Sequence, residues 1–306
     1  MLAFAAVEAD RRLEKVLEIL WPGRETTLTP ITSGITNANV KVEVDGEAFV
    51  VRLPGTATEL LGIDREAELQ ATRAAAAAGV GPDVIDFVGG CLVTRFLVGD
   101  AIPTDQLQRE DVLGAVVRSI RMIHRSPSIP SRFPVFRVVE RYRDLAAERG
   151  VPIPSAYGRA RELAARIEDA LASNPVPRTT CHNDLLNANF LKDGDHVWIV
   201  DYEYAGVGDP FFDLGNFSIN NGLGPAAQEL LLRLYVGEVR DVDRARLGLM
   251  RVMSDFREAM WGVLQQGIST LDVDYVAYAE KHFSRLEETA ADERFEDWLT
   301  AAEGRP

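Results

Sequence analysis

The sequence predicts an α+β protein: a small β-rich N-terminal part with one helix over residues 1–97, and a larger, mostly helical part over residues 98–306. Three observations carry this. Residues 39–44 and 48–53 alternate apolar and polar side chains around Asp45-Gly46, a two-residue hairpin signal. Beyond Gly99 the apolar spacing changes to the three-and-four period of helices. Within that helical part, residues 179–202 return briefly to strand character, with a turn at Asp193-Gly194.

Taken in order, residues 7–20 read as a helix whose Leu13, Val16, Leu17 and Leu20 share a face, stopped by Trp21-Pro22-Gly23. The hairpin follows. Residues 64–78 are helical, including the alanine run, and close at Gly79 before Pro82. A second strand pair, 84–87 and 91–96, turns at Gly89-Gly90. Leu113, Val116, Val117, Ile120 and Ile123 then form a helical stripe ending before Ser126-Pro127. Further helices are predicted over 157–172, 226–239, 252–266 and 274–291.

The chain has 306 residues, 46% hydrophobic and 26% charged, the composition of a folded protein. With 47 acidic against 33 basic side chains it carries a formal charge of −14. That argues against nucleic acid and anionic membrane as partners, since both need a basic surface. Residues 272–303 hold 10 acids and 3 bases, and read as a solvated terminal helix and tail. Only Cys91 and Cys181 are present, outside any CxxC pair, so neither a disulfide framework nor a cysteine metal site is expected. The first residues lack the basic start and long apolar stretch of a signal peptide, and no run approaches the ~18 apolar residues of a membrane span. The expectation is a cytoplasmic protein without membrane insertion.

The chemistry concentrates in residues 181–191 and 199–203. His182, Asp184 and Asn189 fit H-x-D-x-x-x-x-N, and Asp201 follows at the end of the returning strand. A hydroxyl that accepts a phosphoryl group needs a carboxylate to orient it and take its proton, which Asp184 can do. Mg²⁺ wants hard oxygen ligands, and Asn189 and Asp201 supply them. The alternative is a loop whose polar residues cap turns, with His182 bonded to backbone. His124 reads as a structural histidine and His196 and His282 as surface residues; no histidine pair has metal-ligand spacing.

His182-Asn183-Asp184-Leu185-Leu186-Asn187-Ala188-Asn189, Asp201-Tyr202-Glu203-Tyr204-Ala205-Gly206 and Asp213-Leu214-Gly215-Asn216 resemble the aminoglycoside phosphotransferase and choline/ethanolamine kinase group, whose bilobal fold is similar to that of protein kinases. The D-Y-E-Y-A-G form and the Trp261…Gln265…Ser269 stretch look more like choline kinases. The resemblance implies ATP and Mg²⁺ as cofactors, an N-terminal nucleotide-binding lobe (1–97) and a C-terminal catalytic and substrate-binding lobe (98–306). It implies Asp184 as base within a catalytic set with His182, Asn189 and Asp201, and Asn189 and Asp201 as metal ligands. Glu203 would support the metal and substrate region, and Asp213 would brace the catalytic loop.

For the nucleotide, Ser33, Gly34, Thr36 and Asn37 are expected to form a phosphate-facing loop between strands, an ordinary hairpin turn being the alternative. Arg52 stands where related kinases carry a phosphate-binding Lys or Arg, and its expected partner is Glu68 or, second, Glu66. Arg95, Phe96 and Leu97 resemble the hinge that reads adenine. For the acceptor, Asp184, Glu203, Tyr204, Asn220, Glu258 and Trp261 are expected to surround a small cationic amino alcohol, with Asp255 a further local acid. Glu258 stands where a second tryptophan is common and Asn220 where a glutamate is common, which favours a smaller, better hydrogen-bonding ammonium. A homodimer is left open. The competing readings are a kinase of aminoglycosides or other natural products, and an inactive nucleotide-binding pseudokinase.

Overall fold

The computed structural model describes residues 2–31, 37–55 and 58–304. An N-terminal helix, α1 (Leu2–Leu20), precedes a five-stranded antiparallel sheet of β1 (Thr27–Ile31), β2 (Ala38–Val44), β3 (Glu47–Leu53), β4 (Val84–Val88) and β5 (Cys91–Arg95), ordered β1-β2-β3-β5-β4. Asp45 and Gly46 both adopt positive φ, 55° and 82°, which is what a tight turn matching the strand twist requires. Gly89 and Gly90 repeat the device at the second hairpin. β1 carries no strong apolar alternation and is largely exposed, so the sequence gives it no signal.

Helix α2 (Arg65–Ala77) crosses from β3 to β4; its N-cap Asp64 accepts from the Glu66 and Ala67 N–H groups. On one side of the sheet Val16 of α1 is buried with Val42, Val51, Leu53, Cys91 and Val93. The rest of the apolar interior does not divide at residue 97. Ala71 and Ala75 of α2, with Leu61, Ile63 and Val80, belong to the same buried cluster as the C-terminal helices. The Ile199 N–H also donates to Val80 O at 2.7 Å, tying the later hairpin to the loop after α2.

After β6 (Asp100–Ala101) come α3 (Glu110–His124), α4 (Val135–Glu148) and α5 (Ala156–Ser173). β7 (Thr179–Cys181) pairs with β10 (Gly206–Gly208), and between them β8 (Phe190–Asp193) and β9 (His196–Ile199) form a hairpin extended by β6. The chain finishes with α6 (Pro210–Asn220), α7 (Pro225–Val236), α8 (Asp241–Ile268), α9 (Tyr275–Ala290) and α10 (Phe295–Ala302). Among the described residues no helix is long and apolar enough to cross a membrane.

Several sequence expectations are corrected here. The helix predicted over 252–266 is the second half of the 28-residue α8, buried along most of its length. α4, α6 and α10 carry helices that the spacing reading passed over. The tail is not simply solvated: Phe295, Trp298, Leu299 and Ala302 of α10 are buried, and the Trp298 ring lies where a Cβ on Gly248 of α8 would be only 2.8 Å away. His282 is buried rather than on the surface, bonded through Nδ1 to Asp255. α6 also lies against α8 at a glycine: a Cβ on Gly215 would come within 2.6 Å of the Met250 carbonyl carbon.

Candidate active site

A cleft of about 630 Å³ opens between the sheet and the β8–β9 hairpin. Arg52, Glu68, Asp184, Asn189, Asp201 and Glu203 line one end of it, and Phe96 and Leu97 line another part of its wall.

The loop after β7 is held by α6. Asp213 accepts from the His182 N–H (2.8 Å) and the Asn183 N–H (2.6 Å), while His124 Nε2 bonds the same carboxylate at 2.8 Å. Asn216 accepts from the Leu185 N–H at 2.6 Å, and Asn221 donates to Leu185 O at 2.9 Å. Asn183 takes positive φ, 66°, its amide donating to Tyr204 O. Four polar contacts from one helix and its C-terminal residue thus fix the backbone that presents Asp184.

His182 faces inward. Its Nε2 donates to Val200 O at 3.0 Å, which leaves Nδ1 to accept from the Asp184 N–H at 3.2 Å. Burial lowers its pKa, so it stays neutral. Its expected catalytic role is corrected: it positions Asp184 and does not reach the cleft.

Asp184 keeps its carboxylate at the cleft wall, with 15% of the side chain exposed. Burial pushes its pKa from 3.8 to about 7 against the opposing Arg257 guanidinium; Glu258 and Asp201 add to the rise. A base is best placed when its pKa is near the working pH. The β8–β9 pairing brings Asn189 beside Val200 (Val200 N to Asn189 O, 3.0 Å), so Asn189 and Asp201 meet although distant in sequence. Asn189 Nδ2 donates to Asp184 O at 2.9 Å, which leaves its Oδ1 as the unengaged end. Asp201 sits at φ 71°. Burial works against its charge, but Arg52 at 2.5 Å overrides that and holds its pKa below the ordinary value. An amide oxygen beside a firmly ionised carboxylate is a donor set that suits a hard divalent cation.

Arg52 also donates to Glu68 at 2.8 Å; Glu66 is exposed and bonds Gln70 instead. Arg65, which the sequence reading missed, donates to Glu68 (2.7 Å), to Glu203 (3.3 Å) and to Asn37 Oδ1 (2.7 Å). Asn37 in turn donates to Glu203 at 2.7 Å. Burial, then Asp201, raises Glu203 from 4.5 to about 8. Its position at the first residue of α2, three before Glu68, was the available signal for Arg65.

Ser33, Gly34 and Thr36 lie outside the described residues. The hinge expectation is narrowed. The Arg95 N–H donates to Asp83 O and the Phe96 N–H to Ala48 O, and the Arg95 side chain pairs with Glu47. Neither of these two main-chain N–H groups is left to donate to a ligand.

The acceptor-side expectations change most. Asn220 does not line the cleft; its Oδ1 accepts from Arg285. Asp255 is fully buried between Arg285 (2.5 Å) and His282 (2.8 Å), so it offers nothing to a substrate. Glu258 and Trp261 are buried around Arg257, a residue the sequence reading missed: Glu258 accepts from it at 2.6 Å, and Trp261 Nε1 donates to the Tyr204 hydroxyl at 3.0 Å. An arginine among apolar helix residues, next to a glutamate, was the signal.

The profile of the phosphotransferase enzyme family matches residues 27–247. Ethanolamine kinase 2 of Rattus norvegicus is 28% identical, covering 90% of this chain and 79% of the relative. Protein LicA of Haemophilus influenzae is 30% identical over 67% of this chain and 78% of its own length. A choline/ethanolamine kinase family protein from Mesorhizobium loti superposes with a TM-score of 0.84 at 29% identity, covering 97% and 99% of the two chains. The clamped H-x-D loop, its paired Asn and Asp and the arginine–glutamate pair opposite occur here in a chain similar to these proteins over most of its length, and on that basis the chain belongs to the phosphotransferase enzyme family, in its choline/ethanolamine kinase group, and acts on an alcohol.

Proposed function

We propose that the protein transfers the γ-phosphoryl group of ATP, with Mg²⁺, to the hydroxyl of choline, ethanolamine or a similar small amino alcohol. The observation that carries this is the convergence of Asp184, Asn189 and Asp201 at one wall of the cleft, with the Arg52–Glu68 pair reaching the same carboxylate. Names of relatives, ethanolamine kinase 2 among them, support the acceptor class.

Asp184 orients the acceptor hydroxyl and takes its proton as the oxygen attacks. Arg52, fixed by Glu68, presents a planar cation to phosphate oxygens. Asn189 Oδ1 and the Asp201 carboxylate would hold the metal, which when bound supplies charge neutralisation to the nucleotide's phosphates. Asp213, His124 and His182 keep the loop from shifting, so little reorganisation is left for the transfer itself.

The test is ADP release from Mg-ATP against choline, ethanolamine and a set of aminoglycosides. Turnover is expected with an amino alcohol and should fall by roughly 10²- to 10⁴-fold in Asp184→Ala. No turnover with any amino alcohol overturns the proposal, and full activity in Asp184→Ala removes Asp184 as base.

A further inference from the structure

We propose that Arg257 is the specificity-determining residue of the acceptor side: a cation built into the chain that fills the aromatic, carboxylate-lined seat beside Asp184 and so excludes quaternary ammonium alcohols in favour of primary ones. It rests on the amino-alcohol function proposed above.

The seat has the chemistry of a cation site. An aromatic face attracts a cation through its quadrupole, and carboxylates at the rim complete the attraction. Here the Arg257 guanidinium lies 4.4 Å from the centre of the Tyr204 ring and 6.0 Å from that of Phe133. Its Nη1 donates to Glu258 at 2.6 Å and reaches Asp184 at 3.3 Å. The walls are braced: Trp261 holds the Tyr204 hydroxyl, Tyr278 donates to Glu258 at 2.8 Å, and the Trp261 and Tyr278 rings stand 5.4 Å apart.

The way Arg257 is held points the same way. Its Nε and Nη2 are buried without a hydrogen-bond partner among the described residues. A guanidinium normally uses its fork of donors; this one engages the two carboxylates through Nη1 alone and is otherwise kept by ring faces and charge. It therefore occupies the volume and the charge that a trimethylammonium needs.

Consequences for the acceptor follow from charge and donors. The seat adjoins Asp184, which Arg257 Nη1 reaches at 3.3 Å, so a two-carbon amino alcohol whose hydroxyl meets Asp184 can bring its nitrogen toward it. A quaternary ammonium has no N–H and depends on such a seat. A primary ammonium can instead hydrogen-bond directly to carboxylate oxygens and needs no ring box.

The experiment compares wild type, Arg257→Ala and Arg257→Ala/Glu258→Gln, the last removing the carboxylate that the first leaves unpaired. The readouts are the choline-to-ethanolamine ratio of kcat/KM and calorimetric binding of tetramethylammonium, which cannot react. Wild type is expected to favour ethanolamine and to bind tetramethylammonium weakly. Arg257→Ala should move the ratio toward choline by about tenfold or more, chiefly through the KM for choline, and should gain tetramethylammonium binding. The double variant keeps the rings and Asp184 but loses one rim carboxylate, so it should move in the same direction by a smaller amount, and it decides the matter if the single variant does not fold. Wild type that uses choline as well as ethanolamine, or folded variants with an unchanged ratio and no added binding, overturns the proposal. Should wild type phosphorylate neither alcohol, the amino-alcohol function fails, and the tetramethylammonium arm still decides the seat on its own.

Discussion

Arg52 on β3 and Asp201 beyond β9 stand 2.5 Å apart across 149 residues of sequence, and Arg52 reaches Glu68 of α2 with the same nitrogen. One guanidinium thus joins the sheet, the helix behind it and the hairpin that brings Asn189 and Asp201 together. Arg65 makes a second link, from Glu68 to Glu203. Burial opposes the charge on Arg52, but Asp201, Glu68 and Glu203 outweigh it and raise its pKa.

Arg52→Met removes the cation and leaves the buried Glu68 and the partly buried Asp201 carboxylates without it. Breaking such a cluster costs about 3–5 kcal/mol, moderated here because Arg65 still pairs with Glu68. A fall in the thermal midpoint is expected, together with a loss of roughly 10²- to 10³-fold in kcat/KM for ATP. Calorimetry and steady-state kinetics check the two separately.

Stability and activity should depend on pH in opposite directions. Asp184 and Glu203 rise from 3.8 and 4.5 to about 7 and 8, burial being the first cause for each. The native chain therefore keeps protons that the unfolded chain releases. Their contribution to stability is complete below about pH 4 and is lost as pH rises through 7 and 8. Asp184→Asn should flatten part of that slope and exceed wild type in urea unfolding at pH 8.5, by an amount on the order of 2 kcal/mol. Turnover by wild type should instead rise through pH 7, as Asp184 loses its proton.

How much of this was legible in the sequence differs from element to element. The hairpins were readable because Asp45-Gly46 and Gly89-Gly90 are local signals, Asp184 and Asn189 because H-x-D-x-x-x-x-N is a local spacing, and Asp201 because one hairpin returns it to Asn189. α4 and α10 were missed although Val135, Val139, Tyr142 and Ala146, and Phe295, Trp298 and Leu299, are buried at helical spacing; dense charge between them masked the stripe. Arg65 and Arg257 were not legible for another reason. A charged residue on a helix is ordinarily solvated, and only tertiary packing shows that both are buried against carboxylates from distant segments. The expected substrate role of Asn220 and Asp255 failed likewise, because Arg285 on α9 engages both.

Asp213→Ala tests the clamp on the catalytic loop. It leaves the His182 and Asn183 N–H groups and the His124 ring without their acceptor. Unsatisfied buried donors cost about 1–3 kcal/mol each, so the variant should be strongly destabilised. Where it still folds, kcat should fall further than the KM for ATP changes, since no described contact of Asp213 reaches the cleft wall. Asp213→Asn, which keeps an acceptor oxygen, should recover part of both.

Trp298→Ala separates stability from catalysis. The ring packs on Gly248 and Phe295 and does not line the cleft. Its loss should cost about 3–5 kcal/mol by opening a cavity between α8 and α10. Activity per folded molecule should stay at the wild-type level in the cold and disappear at a lower temperature, which a thermal inactivation series will read.

Asp201→Asn isolates the role assigned to the metal-binding oxygens. The amide keeps the shape but removes the negative charge that Arg52 holds below its ordinary pKa. Two effects then oppose each other in folding: a partly buried carboxylate no longer needs its partner, yet Arg52 keeps Glu68 as its one hydrogen-bonded carboxylate among the described residues. Their near cancellation predicts a small change in the thermal midpoint. In catalysis nothing cancels, because the charge is what a divalent cation requires of its ligand. The Mg²⁺ concentration for half-maximal rate should rise by roughly 10- to 100-fold, while Asp184→Asn, at saturating Mg²⁺ and with the same ligands in place, should lower kcat and leave that concentration where it is in wild type. Equal Mg²⁺ dependence in Asp201→Asn and wild type would remove Asp201 from the metal site.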